Sequence, residues 1–474
     1  MIIAENIVDF NSLEKEIYKK CCEAGREMIK SMLERLDDKL MQERDRTVYR
    51  HKGKRKTTLK TIMGEVEYER AIYAVKGEDG TKRHVFLLDE LLGFEKIGFM
   101  SELLTEIITK ASCEMPYRKA AETIGEMTGQ TISHTGVWNV TQAAGQKVDE
   151  KERHAAKLAK VNKGVGREEA KLLFEEQDGI WLNLQGKDRE KIGKSTEMKI
   201  AIAYTGAKKT GKDRYNLVGK VACANFENSS KFYDRKEGVI AETYNIDEIE
   251  MRILNGDGAN WIKRSITDEN VHYQLDTYHR NQAIMKYVGN PDARKLILKL
   301  LYSKQIDDLL DVIEAYSNST EDPKEKENFI TLLTYFKNNK DGLTSYKRRE
   351  LDLPPSSEDD VIYRSCGAME SNVFSIIGRR MKRRRTNWSI NGGNNLARLL
   401  TLKSTGKLSE TLRNLVTCVL PVKYEEEIQT TFSAAQIPQF VGKGWNGFKQ
   451  ANISNSPQWV KNISAFKPLY DLNF

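Results

Sequence analysis

Apolar residues recur at helical spacing near the start of the chain. The intervals of three and four predict one apolar stripe on a long N-terminal helix, which would serve packing or self-association. The stripe consists of Leu13, Ile17, Cys21, Ala24, Met28, Met32 and Leu36. Polar and apolar residues then alternate over 64–75, turn-forming residues follow at 76–81, and an apolar segment occupies 84–88. This pattern predicts a β-hairpin with one solvated face.

A helical pattern extends from about residue 98 to 147. Its first clear helix is predicted from Tyr117 to Met127, and Thr128 with Gly129 ends it. Ser133 can cap a second helix that runs through Val137 and Val140. Two helices around a glycine-containing turn are typical of a helix-turn-helix, whose second helix would enter a DNA major groove. An ordinary helical hairpin is the alternative interpretation.

From Lys171 onward the pattern becomes mixed α/β. Three strands in succession, followed by alternating helix and strand, have the order of a ribonuclease H-like fold, which a helical stretch from Arg280 to about Asp360 interrupts. The predicted fold class is therefore α/β, with a ribonuclease H-like core, a helical insertion and an N-terminal region of helices and a hairpin. The predicted regions are an N-terminal helical region (1–56), a hairpin region (57–97), a helix-turn-helix (98–148), a linker (149–170), the core in two parts (171–280 and 363–420), the insertion (281–362) and a C-terminal tail (421–474).

Composition narrows the class of protein. Hydrophobic residues make up 39% and charged residues 30% of the 474 positions, which suits a globular protein rather than a disordered one. The chain contains no long apolar run and does not begin like a secretory signal, so we expect a cytoplasmic protein without a membrane partner. The six cysteines form no CxxC pair, which argues against a zinc site and favours reduced thiols.

Positive charge is concentrated in two segments. The net charge is +8, and residues 50–60 and 378–388 each hold six Lys or Arg. Such segments can neutralise DNA phosphates, although a solvated charged surface is the alternative. The residues proposed to bind DNA are Arg50, Lys52, Lys54, Arg55, Lys56, Arg379, Arg380, Lys382, Arg383, Arg384 and Arg385.

Three acidic residues stand out by their position. Asp178 lies on the first predicted core strand, Asp257 follows a strand between two glycines, and Glu370 begins the helix after the insertion. Strand ends and helix starts can bring distant side chains together, and carboxylate oxygens are the ligands that Mg²⁺ prefers. Two such ions can activate a nucleophile and stabilise the leaving oxygen in phosphodiester chemistry. A single acidic residue at a turn is, however, more often a helix cap or a surface group.

Short segments distributed along the chain carry a family resemblance. They are FLLDELLG at Phe86–Gly93, MPYRKAA at Met115–Ala121, GDGANW around Asp257, LDTYH ending at His279 and NWSINGGNNLARLL at Asn387–Leu400. Their order and spacing resemble the Mutator-like DDE transposases, and more closely the Lre-type bacterial insertion-sequence transposases, long classified as an uncharacterised protein family. The resemblance implies a ribonuclease H-like fold, with Asp178, Asp257 and Glu370 as catalytic residues and ligands of Mg²⁺ (or Mn²⁺), two ions in all.

The resemblance also carries expectations about partners and supporting residues. Mutator-like enzymes have a Cys-x-x-His pair after the second aspartate, and the matching positions here are Asp276 and His279. The expected substrates are the element's terminal inverted repeats and target DNA, held by a homodimer or higher oligomer. Trp261 and Trp388 could stack on a displaced base, with core packing as the alternative. Two other functions compete: a ribonuclease H-like nuclease or resolvase, and a catalytically inactive, transposase-derived DNA-binding protein.

Overall fold

The computed structural model describes residues 9–77, 80–93, 99–161, 166–267, 269–356, 358–383 and 386–416. These residues form two compact units. Thr141–Thr411 make up the second unit, and the described residues before and after this range belong to the first. No described helix is both long and apolar enough to cross a bilayer.

The first unit begins with the predicted long helix, α1. Asp9 caps its first turn by accepting a hydrogen bond from the Ser12 amide. The predicted apolar stripe divides along the helix: Leu36 is buried in the core and Met32 packs against it, whereas Ile17 and Cys21 are exposed. The elements of this part are α1 (Phe10–Glu43), β1 (Arg50–Thr61), β2 (Gly64–Lys76), β3 (Lys82–Val85), α2 (Leu87–Leu92), α3 (Glu102–Glu114) and α4 (Tyr117–Met127).

The hairpin differs from the prediction. Strand β2 covers the predicted strand, but its long partner is β1, and β3 adds only four residues on the other side. The basic segment that begins at Arg50 is therefore a strand that starts seven residues before the predicted boundary at 57. Its alternation was hidden because six of its residues are Lys or Arg, and six of its first seven positions are exposed, on both faces of the strand.

Both helices predicted for the helix-turn-helix are present. Helix α4 has the predicted bounds, and the Ser133 hydroxyl accepts a hydrogen bond from the Gly136 amide at 3.0 Å, at the start of α5 (His134–Ala159). Because α5 continues to Ala159, the first half of the stretch predicted as a linker is helical. Its acidic residues Asp149 and Glu152 are buried and form ion pairs with Arg235 and Arg398.

A mixed sheet is the centre of the second unit. Its path is β8–β5–β4–β9–β10, in which β5 is antiparallel to β4 and β8, and β9 and β10 are parallel to β4. The mixed α/β class is thus confirmed. The strands and the intervening helices are β4 (Leu172–Leu184), α6 (Gly186–Ile192), β5 (Ser195–Tyr204), β6 (Gly206–Lys209), β7 (Tyr215–Val218), β8 (Val221–Asn225), α7 (Ser229–Ala241), β9 (Met251–Gly256), α8 (Asn260–Lys263) and β10 (Val271–Leu275).

A helical stretch follows β10, in the region where an insertion was predicted. Leu309, Phe329 and Phe336 bury it in one core with Leu254 and Leu275 of the sheet. The remaining elements are α9 (Thr277–Tyr287), α10 (Pro291–Tyr302), α11 (Ile306–Ser319), α12 (Pro323–Asn338), β11 (Val361–Ile362), α13 (Met369–Asn372), a π-helix (Val373–Lys382), β12 (Asn387–Trp388), α14 (Ile390–Ser404) and α15 (Leu408–Val416). The single helix predicted after the insertion is thus one turn of α-helix followed by a π-helix.

Candidate active site

Strand register sets three aspartates side by side. Gln177 of β4 and Leu275 of β10 both pair with Gly256, the last residue of the intervening strand β9. The next residue on each strand is an aspartate: Asp178, Asp257 and Asp276. Parallel neighbouring strands lie about 4.8 Å apart, and residues in register point to the same face. The three aspartates therefore form one row along the carboxyl edge of the parallel strands.

A second row of polar side chains lies on the same face, two residues before each aspartate. The Asn255 amide donates to Glu176 at 3.2 Å and to Asp276 at 2.9 Å, and its oxygen accepts from the Gln274 amide at 2.8 Å. All four side chains are buried. Because a buried polar group is costly unless it is hydrogen-bonded, this satisfied network holds the aspartate row in a defined position.

Asp257 occupies the middle of the row. Its Oδ1 accepts the Ala259 amide at 2.9 Å, and the preceding strand leaves the carboxylate only partly exposed. Burial raises the pKa of Asp257, and the negative charges of Asp178 and Asp276 raise it further, against the opposing effects of the Ala259 amide and His279. The carboxylate is therefore in an environment short of positive charge.

Asp276 and His279 act as one local unit. Asp276 caps α9, because its Oδ1 accepts the amides of Tyr278 and His279 at 2.9 and 3.2 Å. The cap directs the first turn of α9 toward β4, where His279 Nε2 lies 3.7 Å from Asp178 Oδ2. The nearby carboxylate of Asp178 raises the pKa of His279, against the lowering effect of burial. Asp276 is thus fully engaged as a cap, and the residue facing Asp178 is the histidine.

Glu370 lies on a helix that is attached to the same face. Glu176 accepts the amides of Gly367, Ala368 and Met369 at 2.9–3.2 Å, so the start of α13 rests on β4 two residues before Asp178. Burial raises the pKa of Glu176, although the Tyr204 hydroxyl and these amides oppose the shift. Glu370 follows Met369 directly and is exposed. Across the described part of the chain, no three His, Cys, Asp or Glu side chains are arranged closely enough, as they stand, to hold a metal ion.

Glu197 is a fourth acid near the row and was missed by the sequence analysis. Its carboxylate lies directly over Gly179. A Cβ added to that glycine would be only 2.2 Å from Glu197 Oε1. Burial raises the pKa of Glu197, Lys199 opposes this, and Asp257 and Asp178 raise it further. The one available signal in the sequence was Gly179 itself, a glycine inside a strand, which often marks a close approach by another group.

The tryptophan side chains differ in how deeply they are buried. Trp261 packs edge-on against Phe232 with ring centroids 5.3 Å apart, and Trp388 is buried with its indole N–H donating to the Met381 carbonyl at 2.9 Å. Both therefore have packing roles. Trp181 of β4, by contrast, is 60% exposed and pairs in register with Glu197.

The basic side chains after Glu370 also differ in how deeply they are buried. Arg380 is buried, with its guanidinium 5.4 Å from the centre of the Trp388 ring, so it is not a surface cation as predicted. Arg379, Lys382 and Arg383 are exposed. Arg384 and Arg385 lie outside the described residues. All five predicted residues of β1, from Arg50 to Lys56, are exposed, and Lys54 forms an ion pair with Asp38 at 2.8 Å.

Similar proteins were found among curated sequences. The protein described as "UPF0236 protein in vanSb 3'region" of Streptococcus gallolyticus is 25% identical over 421 residues, which cover 85% of each chain. A UPF0236 protein of Caldanaerobacter subterraneus subsp. tengcongensis is also 25% identical, over 85% of this chain and 78% of its own. Its printed name joins eleven TTE designations.

The chain also aligns with one solved structure and matches one family model. A chain in the structure titled "Crystal structure of a pre-cleavage Mos1 transpososome" aligns with 51% of this chain and 79% of its own, at 10% identity and a TM-score of 0.12. A TM-score this low does not establish a shared fold. A family model, by contrast, matches residues 3–414. The chain therefore belongs to the family described as "Uncharacterised protein family (UPF0236)".

Proposed function

We propose that this protein is a DDE-type DNA transposase of a bacterial insertion sequence, which cleaves DNA strands at the ends of its element and joins them to a target. The observation that carries the proposal is the register that sets Asp178 beside Asp257, on the face where Glu176 anchors α13 and thereby Glu370. These three acids are far apart in sequence, and they are the residues that the family resemblance implies as catalytic.

The strand order supports the same proposal. Three antiparallel strands come first, and two strands parallel to the first of them then extend the sheet on its other side. This is the arrangement expected of the ribonuclease H-like core that the resemblance implies. The helices α10 to α12 separate the second aspartate from Glu370, as an insertion before the last acid requires.

The donor set suits a hard divalent cation. Asp178 and Asp257 offer carboxylate oxygens in a region short of positive charge, which fits Mg²⁺ or Mn²⁺, and Glu370 would join them as the third ligand. Two bound ions would supply an activated nucleophile and stabilise the leaving oxygen. The Gly179 and Ala259 amides already hold one oxygen of each aspartate, at 2.7 and 2.9 Å, which keeps the carboxylates oriented. His279 would orient Asp178 or donate to a DNA phosphate oxygen.

The relatives add a genomic argument. In a single strain, one protein name joins eleven designations. Repeated copying of a gene within a genome would produce such a set.

The expected partners are double-stranded DNA, as element ends and target, and further copies of the chain in the complex that joins them. Helices α4 and α5 would contribute the helix-turn-helix that recognises the ends.

A second candidate is a transposase-derived DNA-binding protein without activity. One observation favours it: Glu370 is exposed, and no ready-made group of three acidic ligands occurs within the described ranges. A ribonuclease H-like nuclease or resolvase would use the same acids, but it would cut without joining.

Strand cleavage and joining on defined DNA separate these functions. The full chain is incubated with Mg²⁺ and duplexes that carry the sequences flanking its gene, together with a supercoiled target plasmid. We expect cleavage at the element end and covalent joining to the plasmid, both lost in Asp257→Asn and retained in Asp213→Asn, a control at an exposed turn residue. Cleavage without joining would identify a nuclease, and binding without either reaction would identify the inactive protein.

A further inference from the structure

The three-stranded sheet of the first unit has two ends of different charge. At one end, called here the paired end, register sets Lys56 opposite Glu69 and Lys60 opposite Glu65, with Lys60 Nζ 3.5 Å from Glu65 Oε1. Lys54, nearby on β1, pairs with Asp38 of α1. Opposite charges directly across two strands attract each other. Lys54 and Lys60 are therefore neutralised by acids of α1 and β2, and Lys56 lies opposite a further acid of β2.

The other end of the same sheet is called here the basic end, and its described residues show no such balance. It consists of Arg50, Lys52, Lys76, Lys82 and Arg83, with His51 and His84 beside them. All seven side chains are exposed, and among the described residues none of the five Lys and Arg forms an ion pair. Glu78 and Asp79, in the turn between β2 and β3, lie outside the described residues.

Register brings the basic end together from three strands. Arg50 and His84 flank Ala74 on its two sides, and Lys76 pairs directly with Lys82. Adjacent strands are about 4.8 Å apart, so the three strands present cations across about 10 Å. A β-ribbon of this width fits the major groove of B-DNA, which is about 12 Å wide, while its basic side chains reach the flanking phosphates.

We propose that the basic end binds the phosphate backbone of double-stranded DNA, and that the paired end does not. The inference rests on the proposed function and changes its DNA-binding residues: Lys76, Lys82 and Arg83 are added, and Lys54 and Lys56 are removed. A lipid surface would require apolar anchoring groups beside the cations, whereas the exposed residues of β3 are Lys82, Arg83 and His84.

A salt series with charge-matched variants tests the assignment. The full chain binds a fluorescent 30-base-pair duplex, and affinity is measured from low to moderate salt. The basic-end variant carries Lys52→Gln, Lys82→Gln and Arg83→Gln, and the control carries Lys54→Gln, Lys56→Gln and Lys60→Gln. The slope of log affinity against log salt should become shallower by about 2.7 in the first variant, since each phosphate contact contributes about 0.9. It should change by less than about 0.5 in the control.

Several outcomes would overturn the inference. These are an unchanged slope in the basic-end variant, an equal change in both variants, or weaker binding to phosphatidylserine vesicles with no change on duplex. Thermal unfolding of both variants checks that each is folded. A wild-type chain that binds DNA with the predicted slopes but never cleaves would refute the proposed function and leave this inference intact.

Discussion

Two clusters of charged side chains lie on the same strands of the central sheet and differ in one respect. In the first, at the start of β4 and β9, Glu175 and Glu237 are paired with Lys236 and Arg252 at distances of up to 3.0 Å. In the second, the aspartate row with Glu197, the nearby basic groups are His279, 3.7 Å from Asp178, and Lys199, which opposes the raised pKa of Glu197. Only three to five residues along each strand separate a cluster whose acids are paired with cations from one whose acids are not.

The pKa values express this difference. Burial alone would raise the pKa of Glu237, but Lys236 and Arg252 outweigh it and lower the pKa to about 2. Burial and two neighbouring aspartates instead raise the pKa of Asp257. A balanced buried cluster is part of the scaffold, whereas an unbalanced one at a strand edge is suited to bind a cation. The first cluster is therefore structural, and the second is the one we propose to bind metal.

The largest expected effect is on activity. Replacing Asp178 with Asn, or Glu370 with Gln, should reduce strand cleavage and joining to background, because each removes a proposed metal ligand. Binding to end DNA, measured by anisotropy without metal, should be retained. Activity that survives Glu370→Gln would remove that residue from the ligand set and make Glu197 the next residue to test.

The second effect is on folding stability and has opposite directions in the two clusters. Glu237→Gln breaks a buried ion-pair cluster and should lower the free energy of unfolding by about 3–5 kcal/mol, because it leaves buried cations uncompensated. Asp257→Asn removes like-charge repulsion and should leave stability unchanged or higher in metal-free buffer at neutral pH. Urea unfolding monitored by circular dichroism measures both. Equal destabilisation by the two changes would contradict the distinction.

The third effect is stabilisation by metal. If the aspartate row binds Mg²⁺, a concentration 100-fold above the dissociation constant should raise the free energy of unfolding by about 2.7 kcal/mol. The increase should disappear in Asp257→Asn and persist in Asp213→Asn. A thermal melt with and without Mg²⁺ is sufficient, and equal stabilisation of both variants would indicate that the ion binds elsewhere.

The smallest effect is the pH dependence, and its sign differs between the clusters. Glu237 has a folded pKa below its ordinary value of 4.5, so its contribution to stability is present above that pH and is lost as pH falls toward 2. Asp257 has a folded pKa above its ordinary value of 3.8, so its contribution is present at low pH and is lost as pH rises through the folded pKa. Unfolding free energies of wild type, Asp257→Asn and Glu237→Gln between pH 3 and 7 should reveal the two signs, and parallel curves would contradict them.

Much of the candidate site was predictable from the sequence. Asp178 and Asp257 are recognisable because they lie on or after apolar strands, and register sets them side by side. Glu176 also carries a signal in the sequence: an acid inside the apolar strand 172–184 must have buried partners, and it anchors α13. Glu197 was harder to find, since only its approach over Gly179 brings it near the aspartates.

The sequence by itself determined the periodicities, and through them the long first helix, the two helices after Tyr117 and the mixed α/β second half. It also determined which residues can be charged. Only the tertiary structure decided which charges are neutralised: Lys60 by Glu65 across the hairpin, Glu237 by Arg252, and Asp257 by no equivalent cation among the described residues. The physical reason is that Coulomb energy depends on distance through space. Strand register sets that distance, and no local pattern in the chain encodes it.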